Sequence, residues 1–434
     1  MPAGKTAYRG PMTSADDPGG EPRPADEHEV DERFEAFRYP AYAKYWTARF
    51  ASTFAGNMVI VAVGWQLYDL TRNPLDLGIA GLVQFIPLVL FMLVTGSVAD
   101  RFGRRTVMAW AIAAEIVFTV AIIVFTVRGL SSPLPVFAAL FGFGIARAFF
   151  GPASQSLVVN LVPTKVFPNA VAWNSSAWQV ASIVGPVAGG LIYGLGAAVA
   201  YGTAALMFGV SLVLVMMIPK PAERAHVVKV TFSSLFDGLR YIRDQKVVLG
   251  AISLDLFAVF LGSAVALLPV FARDVLEAGP WALGMLRAAP GVGAVLMAVF
   301  LATSPVRDHA GRILLVSVGL FGLFTVVFGL SSLAWLSVIA LALIGAFDMI
   351  SVYIRETVLQ LWTPDHVRGR VNAVNMVFLG ASNELGDFRA GLVAAWIGAV
   401  PAVVIGGASA MAIAAGWAVL FPQLRDVRRL DRRA

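Results

Sequence analysis

The chain of 434 residues is 58% hydrophobic and only 14% charged, and its formal net charge is +6. With a mean hydropathy of +0.76, this composition lies outside the range of soluble globular domains. Cysteine is absent, which excludes disulfides and thiolate sites, and the four histidines fall in tails and hinges, which argues against a haem or metal centre.

Residues 1–33 are rich in proline, glycine and acidic side chains and carry no apolar period, so we predict a disordered cytoplasmic tail. Beyond it, about twelve apolar runs of about 20 residues alternate with polar hinges, and each run is long enough to cross roughly 30 Å of bilayer hydrocarbon as a helix. The predicted spans are 46–70, 75–99, 106–127, 134–157, 170–195, 198–218, 247–272, 281–302, 312–330, 334–356, 369–396 and 399–421.

These spans predict an all-α membrane protein with two pseudo-symmetric six-helix bundles, at 34–218 and 247–421. A cytoplasmic linker at 219–246 joins the bundles, and a basic cytoplasmic tail follows at 422–434. Apolar residues in the linker recur at helical spacing, which predicts a helix lying in the membrane interface. This stripe consists of Phe232, Leu235, Phe236, Leu239 and Ile242.

Lys and Arg concentrate in the hinges on one side of the predicted membrane, whereas the other side carries Arg72, Arg128 and Arg273. The positive-inside rule therefore places both termini in the cytoplasm, as expected for a multi-pass protein of the bacterial inner membrane. Because the basic residues are dispersed over many hinges, they do not indicate binding of nucleic acid.

The two halves repeat each other. Residues of the fifth run recur in the eleventh at a constant offset of 201, as in Asn174 and Asn375. A second match, at offset 206, relates the start of the second run at Pro74 to the start of the eighth at Pro280. Two copies in the same orientation indicate a parallel internal repeat about an axis along the membrane normal.

The hinge after the second run carries the most specific pattern in the chain. Its residues are Gly96, Asp100, Arg101, Gly103, Arg104 and Arg105. In this setting the hinge resembles the Gly-x-x-x-Asp-Arg-x-Gly-Arg-Arg/Lys signature of the major facilitator superfamily. The segments 363–371 and 380–386 resemble the enterobactin-exporter branch of that superfamily.

Two further motifs support the resemblance. Arg147-x-x-x-Gly151 in the fourth run is similar to a motif of the proton-coupled members, and the fifth run carries a cluster similar to the antiporter motif. That cluster consists of Gly185, Pro186, Gly189 and Gly190. Its glycines let helices approach closely and its proline lets the helix bend, although ordinary helix packing would use the same residues.

The resemblance implies transport by alternating access, with helices 1, 4, 7 and 10 lining a central cavity. At these helices the chain offers Asn57, Arg147, Asp255 and Asp348. In the hinge, Asp100 could form an ion pair across the two bundles and stabilise one state of the cycle. The alternative is that the hinge arginines serve only as topogenic charges.

Ionisable residues at membrane depth are costly and mark functional sites. Glu384 and Asp387 lie three residues apart on one helix face, where two like charges favour the binding of a proton. We expect Arg147 to face the acidic residues from the other bundle and Arg389 to point away from Glu384. The alternative for each residue is a structural ion pair or helix contact.

Three more charged residues lie in the predicted spans and are not counted among the coupling candidates. Glu115 in the third run is set aside as equally consistent with a structural role, and Arg355 and Glu356 are placed at the membrane interface.

The sequence therefore predicts a secondary transporter rather than an enzyme, since it has no nucleophile elbow. The expected activity is proton-coupled export of a small organic molecule, siderophore-like or drug-like, with the proton gradient as energy source and no metal or cofactor. The expected partners are this substrate and the lipid bilayer, and the expected functional unit is a monomer. The alternatives are proton-symport uptake of a polar nutrient and a non-transporting membrane sensor of the same fold.

Overall fold

The structure is a computed structural model that describes residues 32–129, 131–220 and 232–430, and these residues form an assembly of helices without a strand. The predicted tail at 1–33 lies almost wholly outside the described residues, as do 221–231 of the predicted linker and the last four residues of the basic tail.

The first half begins with a 3-10 helix at Glu32–Arg38 and continues with six long helices. They are α1 (Pro40–Thr71), α2 (Pro74–Phe102), α3 (Arg104–Val127), α4 (Leu134–Leu157), α5 (Phe167–Tyr193) and α6 (Ala197–Met216). The linker helix α7 (Phe232–Asp244) follows, which confirms the predicted helix. Ile242 of its predicted apolar stripe is buried, but Leu239 is 42% exposed.

The second half is also helical. Its elements are α8 (Lys246–Gly262), α9 (Leu268–Val270), α10 (Pro280–Thr303), α11 (Ala310–Leu330), α12 (Ala334–Trp362), α13 (Asp365–Ile397), α14 (Ala399–Leu420) and α15 (Pro422–Arg425). The span predicted at 247–272 falls within one membrane-length helical segment, Lys246–Val275, but its α-helix ends at Gly262 and helical structure resumes only after Ser263 and Ala264. A 3-10 turn, α9 and a π-helical turn at Phe271–Val275 complete this segment.

Ten of the described helices are long and apolar enough to cross a membrane. The helices α5 and α13 are also long, at 27 and 33 residues, but they are less apolar than these ten. Polar residues explain the difference, since α5 contains Asn169 and Asn174 and α13 contains Glu384 and Asp387.

Most helix contacts fall within one half of the chain. In the first half, α1 packs on α5 and α6, α3 packs on α4 and α6, and α2 packs on α4. In the second half, α11 packs on α12 and α14, α10 packs on α12, and α8 packs on α13 and α14. The main contacts between the halves join α5 to α10 and α2 to α13.

These contacts between the halves are tightest at one face of the molecule. We call the face that holds the starts of α1 and α8 and the end of α14 the termini face, and the other the opposite face. Near the opposite face, a Cβ on Gly190 would lie 2.4 Å from the carbonyl oxygen of Pro280, and one on Gly391 would lie 2.8 Å from that of Pro74. Towards the termini face, a Cβ on Gly96 or Gly369 would meet nothing within 4 Å. The halves therefore touch at the opposite face and diverge towards the termini face.

Candidate functional site

The hinge between α2 and α3 is held by its arginines to the first half of the chain. Gly103 turns the backbone with a φ of +83°, which is why glycine suits this position. Arg104 Nη1 donates to the carbonyl oxygen of Ser156 at 2.8 Å, and Arg105 Nε donates to that of Val215 at 3.1 Å. These cations satisfy carbonyl groups at the ends of α4 and α6, where the helix dipole is negative.

Asp100 forms its described ion pair within the same hinge, with Arg104 at 3.9 Å. Its side chain is 45% exposed, and it has no described bond to the second half. Arg101 lies over the ring of Phe102, with 5.5 Å from Cζ to the centroid. The ion pair predicted across the halves is therefore not formed in this conformation, which is open at the termini face, and it stays a prediction for a conformation closed there.

The motif on α5 packs that helix against its neighbours. Asn57 Nδ2 on α1 donates to the carbonyl oxygens of Thr53 at 3.0 Å and Ala181 at 3.3 Å. A Cβ on Gly185 would lie 2.9 Å from the Asn57 Cβ, and Gly189 lies equally close to the backbone of α1. Asn57 therefore joins α1 to α5 rather than joining a charged cluster.

Arg147 belongs to a charged centre inside the first half. Its Nε lies 3.6 Å from Glu115 Oε1, and Ser52 Oγ donates to Glu115 Oε2 at 3.0 Å. The guanidinium lies over the Phe143 ring and against Gly56, where a Cβ would clash with it. In this conformation the ion-pair partner of Arg147 is Glu115 on the adjacent helix, and the approach of Arg147 to acidic residues of the other half stays a prediction for a closed cavity.

Glu115 is a functional candidate that sequence reasoning set aside. Its side chain is only 1% exposed, and its Oε1 accepts no hydrogen bond within the described structure. The Arg147 side chain is 34% exposed, so this cation connects a buried carboxylate with accessible space.

A second charged centre lies inside the second half. Asp255 on α8 forms an ion pair with Arg355 on α12, and their side chains are 8% and 2% exposed. The sequence analysis placed Arg355 at the membrane interface near the end of its span, whereas the structure extends α12 to Trp362 and buries this residue against α8. Glu356 accepts a hydrogen bond from Asn375 Nδ2 at 3.0 Å.

Asp348 lies on α12 beside this ion pair. Asp255, Asp348 and Ser351 line a small cavity of about 10 Å³, which corresponds to the space of a single water molecule. Asp348 interacts electrostatically with both Asp255 and Arg355, but no described residue forms a direct ion pair or hydrogen bond with it. The structure thus brings together two of the predicted acidic residues around Arg355, a cation that the sequence analysis had not connected with them.

Glu384 and Asp387 lie where α13 meets the break after α8. Asp387 accepts hydrogen bonds from the Ser263 hydroxyl and the backbone N–H of Ala266, so it caps the helical turn that follows the break. The Glu384 carboxylate lies against α2, because a Cβ added to Gly81 would be 3.2 Å from Glu384 Oε2.

Arg287 on α10 supplies the positive charge near these two carboxylates and interacts electrostatically with both. The sequence analysis missed it, although an arginine seven residues into an apolar run is a visible signal. Arg389 turns away from Glu384 as predicted, since its Nη2 donates to the carbonyl oxygen of Leu261 at 2.6 Å.

Comparison with known proteins relates most of the chain to transporters. The profile of the transmembrane secretion effectors matches residues 32–434. The enterobactin exporter EntS of Escherichia coli O81 (strain ED1a) is 28% identical over 385 residues, which is 86% of each chain, and that of Shigella boydii serotype 18 is 27% identical over the same length and coverage.

Solved structures show the same fold. A bacterial homologue of the human lysosomal transporter Spinster, in an inward-facing and occupied conformation, matches 91% of this chain and 99% of its own, with a TM-score of 0.70 and 15% identity. A bacterial homologue of the iron transporter ferroportin, in an inward-facing state, matches 89% and 99%, with a TM-score of 0.63 and 15% identity. The chain therefore belongs to the transmembrane secretion effectors of the major facilitator superfamily, and it is a multi-span membrane transporter rather than an enzyme.

Proposed function

We propose that this transporter exports a small organic molecule by alternating access and that proton entry drives the export. The substrate is siderophore-like or drug-like, the monomer is the functional unit, and no cofactor takes part. Each half of the chain forms one six-helix bundle, at 34–218 and 247–421, and the two bundles rock against each other.

Chain connectivity supports twelve membrane crossings. Helix α4 ends at the termini face and α6 begins at the opposite face, so α5 has to cross between them. Helix α13 connects the end of α12 to the start of α14 in the same way. Each helix buries an asparagine, Asn174 in α5 and Asn375 in α13, and α13 keeps Glu384 and Asp387 half-buried, which helps both helices to cross despite their lower hydropathy. The excess of Lys and Arg assigns the termini face to the cytoplasm of a bacterial inner-membrane protein.

The relation of the two halves supports alternating access. They meet in backbone-close contacts near the opposite face and diverge near the termini face, as described for Gly190 and Gly96. In this orientation the conformation is open to the cytoplasm, ready to receive cargo for export. An outward-open conformation would separate the contacts at the opposite face and let Asp100 reach the second half.

The arrangement of Asp255, Arg355 and Asp348 is the observation that carries the proposal of proton coupling. One cation serves two carboxylates, so the group carries a net charge of −1 when both are ionised and is neutral when one holds a proton. The low dielectric of a membrane protein interior favours the neutral form. Asp255 keeps the direct ion pair, so Asp348, which borders the cavity, is the carboxylate that exchanges the proton.

Similarity to enterobactin exporters supports export over its two alternatives. Uptake of a polar nutrient by proton symport would use the same coupling group, but the cargo would accumulate in cells rather than leave them. A sensor of the same fold would bind a small molecule without moving it. Sensitivity of a deletion strain to a panel of drugs and siderophores identifies the cargo class and separates these possibilities.

The test of coupling uses purified protein in liposomes with a cargo from that panel. Asp348→Asn is expected to abolish uphill transport driven by a pH gradient while retaining downhill cargo exchange, because only the exchangeable proton is lost. Asp308→Asn is the matched control, since Asp308 is a 57% exposed carboxylate on the termini face. Full pH-driven transport in Asp348→Asn would refute its role as the proton carrier.

A further inference from the structure

A cluster of charges joins the two halves at the opposite face. Arg273 Nη2 lies 2.5 Å from Asp69 Oδ1, and Arg72 Nη1 donates to Asp274 Oδ1 at 3.2 Å. The Tyr68 hydroxyl also donates to Asp274. We call these five residues the outer latch. Tyr68 and Asp69 lie in the last turn of α1, Arg72 directly follows it, and Arg273 and Asp274 lie in the segment after α8. The Arg273–Asp69 and Arg72–Asp274 ion pairs therefore both join the two halves.

The outer latch is distinctive among the charge contacts of the molecule. The other ion pairs between residues whose side chains the structure describes each join two residues of the same half. Asp69 also lies in the last turn of α1, where the helix dipole disfavours a carboxylate. A cation supplied by the other half compensates this charge only while the halves are together.

The backbone on both sides of the outer latch has an unusual conformation. Arg72 adopts a left-handed φ of +51° directly after α1. Arg273 and Asp274 lie on the π-helical turn Phe271–Val275. Left-handed non-glycine residues and π turns persist where the surroundings hold them, and they concentrate at functional sites. The left-handed backbone at Arg72 and the π turn at Phe271–Val275 thus position the side chains that form ion pairs across the two halves.

The ring of Trp65 extends the contact, because the Arg273 guanidinium lies 5.3 Å from its centroid. The Arg273 side chain is 26% exposed, less than the other three charged members, which are 40% to 53% exposed. Partial exposure makes the pairs individually weak and sensitive to salt, as suits a contact that opens and closes.

We propose that the outer latch is the gate at the opposite face. Its ion pairs hold the transporter in the cytoplasm-open conformation and separate once in each transport cycle. This inference rests on the proposed alternating access but not on proton coupling or cargo identity. Loss of the latch then favours the outward-open conformation. With two weak pairs and one cation–π contact, the outward-open population is expected to rise by on the order of tenfold.

The absence of cysteine from the sequence allows a direct measurement. Cysteines introduced at Leu195 and Leu333, which are 77% and 49% exposed at the opposite face, place one spin label on each half. Pulsed electron-spin distance measurements in lipid nanodiscs, without cargo or a pH gradient, report the separation of the halves. The doubly labelled protein with an intact outer latch is expected to show mainly a short distance between the two labels, as in the cytoplasm-open conformation.

The variants Asp69→Asn and Arg273→Gln, each in the labelled background, are expected to add a population at longer distance. Arg273→Lys, which keeps the charge, is expected to resemble the parent. Arg128→Gln is the matched control, because Arg128 is an exposed cation at the same face outside the latch. Circular dichroism and size-exclusion chromatography check that each variant is folded.

Unchanged distances in folded Asp69→Asn and Arg273→Gln would overturn the proposal, and so would an equal change in Arg128→Gln. A mainly long distance in the parent would also overturn it. The two proposals can fail separately. If the latch variants lengthen the distances but Asp348→Asn keeps full pH-driven transport, the latch proposal is supported and only the role of Asp348 in proton coupling is refuted.

Discussion

Replacement of Arg355 by glutamine removes the cation of the buried ion pair with Asp255. The Asp255 residue is only 6% exposed and Arg355 only 1%, so neither can turn to water when its partner is lost. Arg355 meets the Asp255 carboxylate through Nη1, and its Nε has no hydrogen-bond acceptor in the described structure, so the ion pair is the main compensation of this cation.

Loss of one member of a buried ion pair costs about 3–5 kcal/mol, because the remaining charge stays in a low dielectric. Asp255→Asn leaves the cation unpaired and is expected to cost a similar amount. The double variant Asp255→Asn/Arg355→Gln removes both charges together. We expect it to lose less stability than the sum of the two single losses, with a coupling free energy of about 2–3 kcal/mol between the two sites.

Thermal unfolding of the four proteins in one detergent measures this cycle. A loss of 3–5 kcal/mol corresponds to a decrease in Tm of roughly 6–20 °C at the sensitivity of a domain of 150–250 residues. A decrease of less than 2 °C in Arg355→Gln, or a double variant with the sum of the two single losses, would refute the assignment of a coupled buried pair.

Three further predictions concern the hinge, the contacts between the halves and the topology. Asp100→Asn is expected to change the free energy of unfolding by less than about 0.5 kcal/mol, because the side chain is half-exposed, but to reduce cargo transport strongly. Transport at the wild-type rate would show that the hinge is only topogenic. Gly190→Ala places a Cβ 2.4 Å from the Pro280 carbonyl oxygen, so the spin-label distance across the opposite face should lengthen, whereas Gly202→Ala, which meets nothing within 4 Å, should leave it unchanged. Reporter domains fused into the 219–246 linker and at the C-terminus should both be cytoplasmic, and protease cleavage of either from outside intact cells would contradict the orientation.

The sequence alone determined the membrane class, the helix count that we propose and the family. Hydrophobic length is a local property, because each helix has to satisfy its own backbone hydrogen bonds and cover the hydrocarbon thickness by itself. The motif of the hinge at 96–105 could also be recognised from the sequence, because its glycine and arginines lie within ten consecutive residues. Even the polar helices α5 and α13 were predicted as spans from their place in the alternation and from the repeat.

The partners of the charged residues could not be found in the same way. A helical period shows which residues of a helix share a face, but not which helix that face meets. Arg147 was therefore expected to face the other half, although it pairs with Glu115 on the neighbouring helix. Arg355 was assigned to the interface because the predicted span ended at 356, whereas α12 extends to Trp362 and buries it against Asp255.

The outer latch depended on tertiary structure most completely. Arg72 and Arg273 were recognised in the sequence only as sparse charges outside the membrane, and the π turn that carries Arg273 has no recognisable local signature. The sequence determines which segments can enter the bilayer, because the cost of exposing polar groups there is set residue by residue. Only the packing of the two halves decides which charges meet, because an ion pair depends on distances between segments that are remote along the chain.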